Sequence, residues 1–144
     1  MTRYVEVVCT GNICRSPIGE VVLRAKLAEA GIDDVVVTSS GTGGWHAGDP
    51  MDPRAAAALA RRGYDGSAHR ARQFLSSWLG ERDLVLAMDQ GHLASLHRHQ
   101  SVVPIELYDA EDVPDPYYGD DSGFDAVLDQ IEKAADSWVT RLRP

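Results

Sequence analysis

Tyr4-Val5-Glu6-Val7-Val8 runs straight into Cys9-Thr10-Gly11-Asn12-Ile13-Cys14-Arg15-Ser16-Pro17, and these 14 residues decide the fold. The first five are mostly apolar and β-branched, which is the composition of a strand. Gly11 and Asn12 interrupt it. Pro17 then stands where a helix begins, at a position whose missing N–H costs nothing. Beyond it, Val21, Val22, Ala25, Leu27 and Ala28 keep a helical spacing up to Gly31, a C-cap. Strand, tight loop and helix N-terminus together make an anion site, because loop N–H groups and the helix dipole favour the same negative charge.

The alternation continues outward from that unit. Val35-Val36-Val37-Thr38 predicts a second strand, and residues 39–53, with four glycines and two prolines, predict a loop. Residues 54–62 predict an Ala-rich helix stopped by Gly63. Residues 83–87 predict a third strand and residues 90–99 a short helix. Residues 102–107 predict a fourth strand, placed at a sheet edge by Pro104. A closing helix over 125–142 puts Phe124, Val127, Leu128, Ile131, Ala135, Trp138 and Val139 on one side. Strands alternating with helices predict an α/β fold, a parallel sheet with helices on both faces, as one domain over residues 1–144. Ligands bind such sheets at the carboxyl ends of the strands, where the Cys9 loop falls.

Composition narrows the function. The net charge of −8 argues against a nucleic-acid partner. Residues 1–98 carry 11 basic and 11 acidic side chains, whereas residues 99–144 carry 3 and 11, so the whole excess lies in the last third. No run approaches the ~18 apolar residues of a membrane span. No basic segment followed by an apolar one marks a signal peptide. Two cysteines are too few for a disulfide framework. The expected setting is cytoplasmic, away from membranes, with the chain acting as a monomer.

At the strand end, Cys9 is the expected nucleophile, its thiolate favoured by the loop and helix terminus. Arg15 offers a planar fork for two phosphate oxygens. Thr10, Gly11, Asn12, Ile13, Cys14 and Ser16 complete the expected phosphate cradle. Gly11 permits close approach or positive φ, and Asn12 tolerates a left-handed φ while its amide pins the loop. Ser16 is expected both to cap the helix and to donate its hydroxyl to the Cys9 sulfur. Cys14 has three readings: a packed loop residue, a disulfide partner of Cys9 under oxidation, or, least favoured, a metal ligand lacking companions.

Asp115, in Val113-Pro114-Asp115-Pro116-Tyr117-Tyr118, is the candidate general acid. The prolines fix its backbone, and Asp112, Asp120 and Asp121 are expected to raise its pKa by like-charge repulsion. Trp45, Tyr117 and Tyr118 are candidates for the walls of a cleft that takes a flat leaving group. His69 is a candidate support of the loop, whereas His92, His97 and His99 read as solvated surface. Cys-x4-Cys spacing does not suit a thioredoxin-like oxidoreductase. A module that only binds phosphotyrosine would have no use for Cys9, Ser16 and Asp115 together.

The Cys9–Pro17 and Asp115–Tyr118 motifs resemble those of the low-molecular-weight protein tyrosine phosphatases. So do Ser39-Ser40-Gly41-Thr42, Trp45-His46, Pro50, Asp52-Pro53, His69-Arg70-Ala71-Arg72-Gln73 and Met88-Asp89. The resemblance spans nearly the whole chain. It implies a flavodoxin-like, four-stranded parallel sheet in the order 2-1-3-4, without metal or organic cofactor. It also implies hydrolysis of phosphotyrosine proteins through a cysteinyl-phosphate, with inorganic phosphate as product and inhibitor. In that reading Cys9 is the nucleophile, Arg15 the phosphate clamp and Asp115 the general acid. Ser16, Asn12 and His69 support the loop, and Tyr117 and Tyr118 line the cleft. The segment between His97 and Val113 is shorter than the family pattern. An arsenate reductase on the same fold is the alternative, although its disulfide relay needs a further cysteine.

Overall fold

The computed structural model describes residues 1–144. Four parallel strands, β1 (Arg3–Cys9), β2 (Val35–Gly41), β3 (Leu84–Ala87) and β4 (Ile105–Leu107), lie in the order β2-β1-β3-β4. The helices are α1 (Arg15–Glu29), α2 (Pro53–Arg61), α3 (Gln90–His97) and α4 (Asp121–Leu142), with a 3₁₀ turn over Ser76–Gly80. That turn lies in a stretch for which the sequence predicts no element.

The period of two along each strand divides the core between the two faces. Val5, Val7 and Cys9 of β1 and Leu84 and Leu86 of β3 face a large cluster with α1, α2 and α4. Val8, Val85 and Ala87 face a smaller one with Leu79 and Leu96. Glu6, fully buried in the centre of β1, is held by Arg82 Nε at 2.9 Å, Arg72 Nη2 at 3.5 Å and the Thr38 hydroxyl. A buried carboxylate persists only with such partners.

Several expected boundaries move, among them the end of β2, which runs on through residues 39–41 where the sequence predicts loop, and the end of α3, which stops at His97. α1 begins at Arg15 with Cys14 at its cap, so Ser16 lies inside the first turn and its hydroxyl caps nothing. α4 begins at Asp121, four residues before the predicted start, because Asp120 accepts from Ser122 N. β4 shrinks to Ile105–Leu107 at the edge, starting just after Pro104. The chain leaves β1 for β2 on one side and crosses to β3 on the other. The crevice therefore opens at the carboxyl ends of β1 and β3, immediately above Cys9. No helix is long and apolar enough to cross a membrane.

Candidate active site

Cys9 ends β1, and residues 10–14 curl from it into α1. Asn12 carries the loop's left-handed backbone, with φ 59°; Gly11 does not. The strain is held in place by the Asn12 side chain, fully buried beneath the loop. Its Nδ2 donates to Ser16 Oγ at 2.8 Å and Ser39 Oγ at 3.0 Å, and its Oδ1 accepts from Arg72 N at 2.9 Å. His69 Nε2 donates to the Asn12 carbonyl at 2.7 Å. So fixed, the loop leaves the backbone N–H groups of Gly11, Asn12, Ile13 and Cys14 without any protein acceptor. Donors in that state cost free energy until an acceptor arrives, and an anion is the acceptor this geometry suits.

Gly41 closes the underside. A Cβ there would lie 2.6 Å from the Thr10 carbonyl oxygen and 3.1 Å from Asn12 N, both backbone atoms that cannot step aside. Gly41→Ala should therefore cost about 1–3 kcal/mol in a thermal melt and lower kcat/KM by displacing the loop. An unchanged melt and unchanged rate would show that the underside is not rigid.

The Cys9 sulfur is almost fully buried and lies 2.9 Å from Ser16 Oγ. Arg15, 4 % exposed, reaches the same space. Its Nη1 donates to Asp89 Oδ2 at 2.8 Å and to the Val113 carbonyl at 3.0 Å. Its Nη2 lies 3.4 Å from Thr10 Oγ1 and 3.6 Å from Asp115 Oδ2. Burial pushes the Cys14 thiol far up, with Asp52 and Cys9 adding to the rise, so Cys14 is neutral at physiological pH.

Asp115 is partly exposed, and its Oδ1 accepts from Tyr117 N at 3.0 Å. Asp112 accepts from Gln90 N, Asp120 caps α4, and the charge that Asp115 faces is Arg15. Arg54 braces this loop. Its guanidinium clasps Asp52, the cap of α2, and donates to the carbonyls of Tyr117 at 3.0 Å and Gly119 at 3.3 Å.

Trp45, Tyr117 and Tyr118 stand around the opening, with the two tyrosine rings edge to face at 5.0 Å. Trp45 lies over Gly43, where any Cβ would fall inside the indole ring. Together with Cys9, Thr10, Gly11, Ile13, Cys14, Arg15, His46 and Asp115 they line a cleft of about 360 Å³. Asn12 and Ser16 lie behind that lining, as supports. No three His, Cys, Asp or Glu side chains converge on a point that would hold a metal ion.

This geometry stands beside a match to a family. The sequence model of the family described as "Low molecular weight phosphotyrosine protein phosphatase" matches residues 4–144. The chain belongs to that family. Membership makes it a phosphoric monoester hydrolase of the protein-tyrosine-phosphatase type. It is 45% identical over 157 aligned positions to the low molecular weight protein-tyrosine-phosphatase of Streptomyces coelicolor, covering 99% of this chain and 95% of that one. Among solved structures, Primo-1 superposes with a TM-score of 0.93 at 33% identity, covering 98% of this chain and 99% of that one. Vibrio vulnificus Wzb in complex with benzylphosphonate gives a TM-score of 0.87 at 28% identity, covering 99% of this chain and all of that one.

Within this phosphatase the sequence reading missed three contributors. Asp89 was legible only as part of a matching motif; the structure makes it the partner of Arg15. Arg54 carried no signal beyond following Asp52-Pro53. His92, expected at the surface, is buried and lies 2.8 Å from Thr10 Oγ1. His97 and His99 are exposed.

Buried His92 and half-buried His69 predict a pH dependence. Burial lowers the pKa of both His69 and His92 below the ordinary 6.5. As pH falls through that value the unfolded chain takes up protons that the folded chain refuses, so folding weakens. The stability is therefore complete above about pH 6.5 and is lost below it, before any carboxylate of lowered pKa is protonated. Tm should fall between about pH 7 and 5, and His69→Gln should flatten the slope. A flat wild-type profile over that range would contradict imidazoles held neutral by the fold.

Proposed function

We propose that this phosphatase hydrolyses phosphotyrosine and other aryl phosphates through a cysteinyl-phosphate on Cys9. The observation that carries the reading is the row of unpaired loop N–H groups between a buried cysteine and a buried arginine, opening into a cleft with aromatic walls. Benzylphosphonate, an aryl group one methylene from a tetrahedral phosphonate, is the ligand named for the Vibrio vulnificus neighbour.

The phosphoryl group lies on the loop, with two oxygens on the Arg15 fork and the others on the loop amides. Cys9, its sulfur 2.9 Å from the Ser16 hydroxyl, attacks phosphorus as its thiolate. The bond to the phenolic oxygen breaks, and Asp115, entering as the acid, passes its proton to that oxygen. Water then attacks the cysteinyl-phosphate, Asp115 as carboxylate takes its proton, and Cys9 leaves as thiolate with Ser16 again donating. Phosphate departs. Thr10, Gly11, Ile13 and Cys14 form the cradle, Asn12 and His69 hold its shape, and Trp45, Tyr117 and Tyr118 flank the leaving ring.

Cys14 is the thiol available if peroxide oxidises Cys9 to a sulfenic acid: condensation forms the disulfide and releases water. We place the whole chain, residues 1–144, as one catalytic domain working as a monomer in the cytoplasm, where the thiolate stays reduced.

The test is release of p-nitrophenol from p-nitrophenyl phosphate by the reduced protein across about pH 4–8. Turnover that survives a chelator, is lost on thiol alkylation and is protected by inorganic phosphate is the expected result. A folded, reduced protein that releases nothing would overturn the reading, and arsenate titration of Cys9 would follow.

A further inference from the structure

His92 projects from α3 with a side chain 7 % exposed, and the chemistry above gives it no task. Its Nε2 lies 2.8 Å from Thr10 Oγ1. Its Nδ1 lies 3.1 Å from Asp89 Oδ1, off the hydrogen-bond line, and has no other partner. That contact fixes the tautomer. A lone pair on Nδ1 would be repelled by the carboxylate, whereas a proton there is attracted. With the proton on Nδ1, Nε2 can only accept, and the Thr10 hydroxyl must donate to it.

Thr10 Oγ1 is then left with lone pairs, 3.4 Å from Arg15 Nη2. Asp89 meanwhile takes Arg15 Nη1 on Oδ2 and the His92 backbone N–H on Oδ1 at 2.9 Å. Guanidinium, carboxylate, imidazole and hydroxyl close into a ring. Holding Nη1 alone leaves a planar fork free to twist about that contact; a second acceptor at Nη2 sets its plane.

We propose that His92 is a positioning residue for the phosphate clamp: as a neutral Nδ1–H imidazole it turns the Thr10 hydroxyl away from the cleft and its oxygen toward Arg15. The proposal rests on the phosphate-loop reading above, in which Arg15 binds the phosphoryl oxygens. Burial, and secondarily Arg15, keep the imidazole uncharged against the opposing pull of Asp89, Asp115 and Asp112, which face it from the two flanking segments. A protonated ring would reverse the Thr10 hydrogen bond and set a second cation beside the first.

The experiment compares wild type with His92→Leu, His92→Gln, Thr10→Val and the Leu/Val double variant. It reads inorganic phosphate affinity by calorimetry, kcat/KM on p-nitrophenyl phosphate, and Tm. His92→Leu and Thr10→Val should each weaken phosphate about 10-fold, the loss of one hydrogen bond next to a charged group. The double variant should be no worse than the poorer single variant, because both break the same ring. His92→Gln, whose Oε1 can accept from Thr10, should recover most of the affinity. Nitrogen-15 NMR of the wild type should show His92 Nε2 without a proton.

A protonated Nε2, additive losses, or full phosphate affinity in His92→Leu would each overturn the proposal. If His92→Leu does not fold, His92→Gln and Thr10→Val with the NMR measurement decide it alone. A wild type that binds phosphate yet turns over nothing would strike the phosphatase reading and leave the affinity comparison intact.

Discussion

Cys9→Ser should leave a folded protein that binds inorganic phosphate and turns over substrate at least about 10⁴-fold more slowly, the scale of losing a covalent nucleophile. The substitution keeps the side chain's size at the end of β1 and its contact with Ser16. Arg15 and the unpaired loop N–H groups are untouched, so the anion still has its donors. What disappears is the sulfur nucleophile. A serine hydroxyl needs a base to become a nucleophile, and the group beside it, the Ser16 hydroxyl, is a donor and no base. Phosphate calorimetry alongside steady-state rates separates the two functions. Near-normal turnover would remove Cys9 from the mechanism, and loss of phosphate binding as well would mean that the loop had collapsed.

Asp115→Asn should slow phosphorylation by roughly 10²–10⁴-fold, the usual contribution of a general acid. The carboxamide can still accept from Tyr117 N, so the turn between Pro114 and Tyr118 keeps its shape. Only the transferable proton is lost. The deficit should therefore depend on the leaving group: large for phosphotyrosine, whose phenolate is poor, and smaller for p-nitrophenyl phosphate, whose phenolate departs with less help. Equal losses on the two substrates would contradict proton transfer by Asp115 and leave it an electrostatic neighbour of Arg15.

The parts of this site that lie within one turn of chain were legible in the sequence. Strand, loop and helix follow each other over residues 3–29, and Cys9, Asn12 and Arg15 have their places set by local geometry. The sheet order came from the family resemblance, and the structure has the same order, β2-β1-β3-β4. What escaped depends on contacts between distant segments. His92 sits on a short polar helix and looks solvated until the β3–α3 corner packs it against Thr10, 82 residues earlier. Gly41 shows its purpose only when the loop of residues 10–14 crosses above it.

Asp112 and Asp120, close to Asp115 in sequence, reach backbone N–H groups of other segments: Gln90 at the start of α3 and Ser122 at the start of α4. The helix starts two residues earlier than expected, so Ser16 loses its expected capping role and keeps the expected contact with the Cys9 sulfur.

The most direct measurement quenches the reduced wild-type protein in acid during turnover of phosphotyrosine and maps the phosphoryl group by mass spectrometry. Cysteinyl-phosphate attack predicts phosphate on the peptide carrying Cys9, accumulating at the rate of the first phenol released and absent in Cys9→Ser. Turnover with phosphate on another side chain, or with none on the protein at any time, would contradict it.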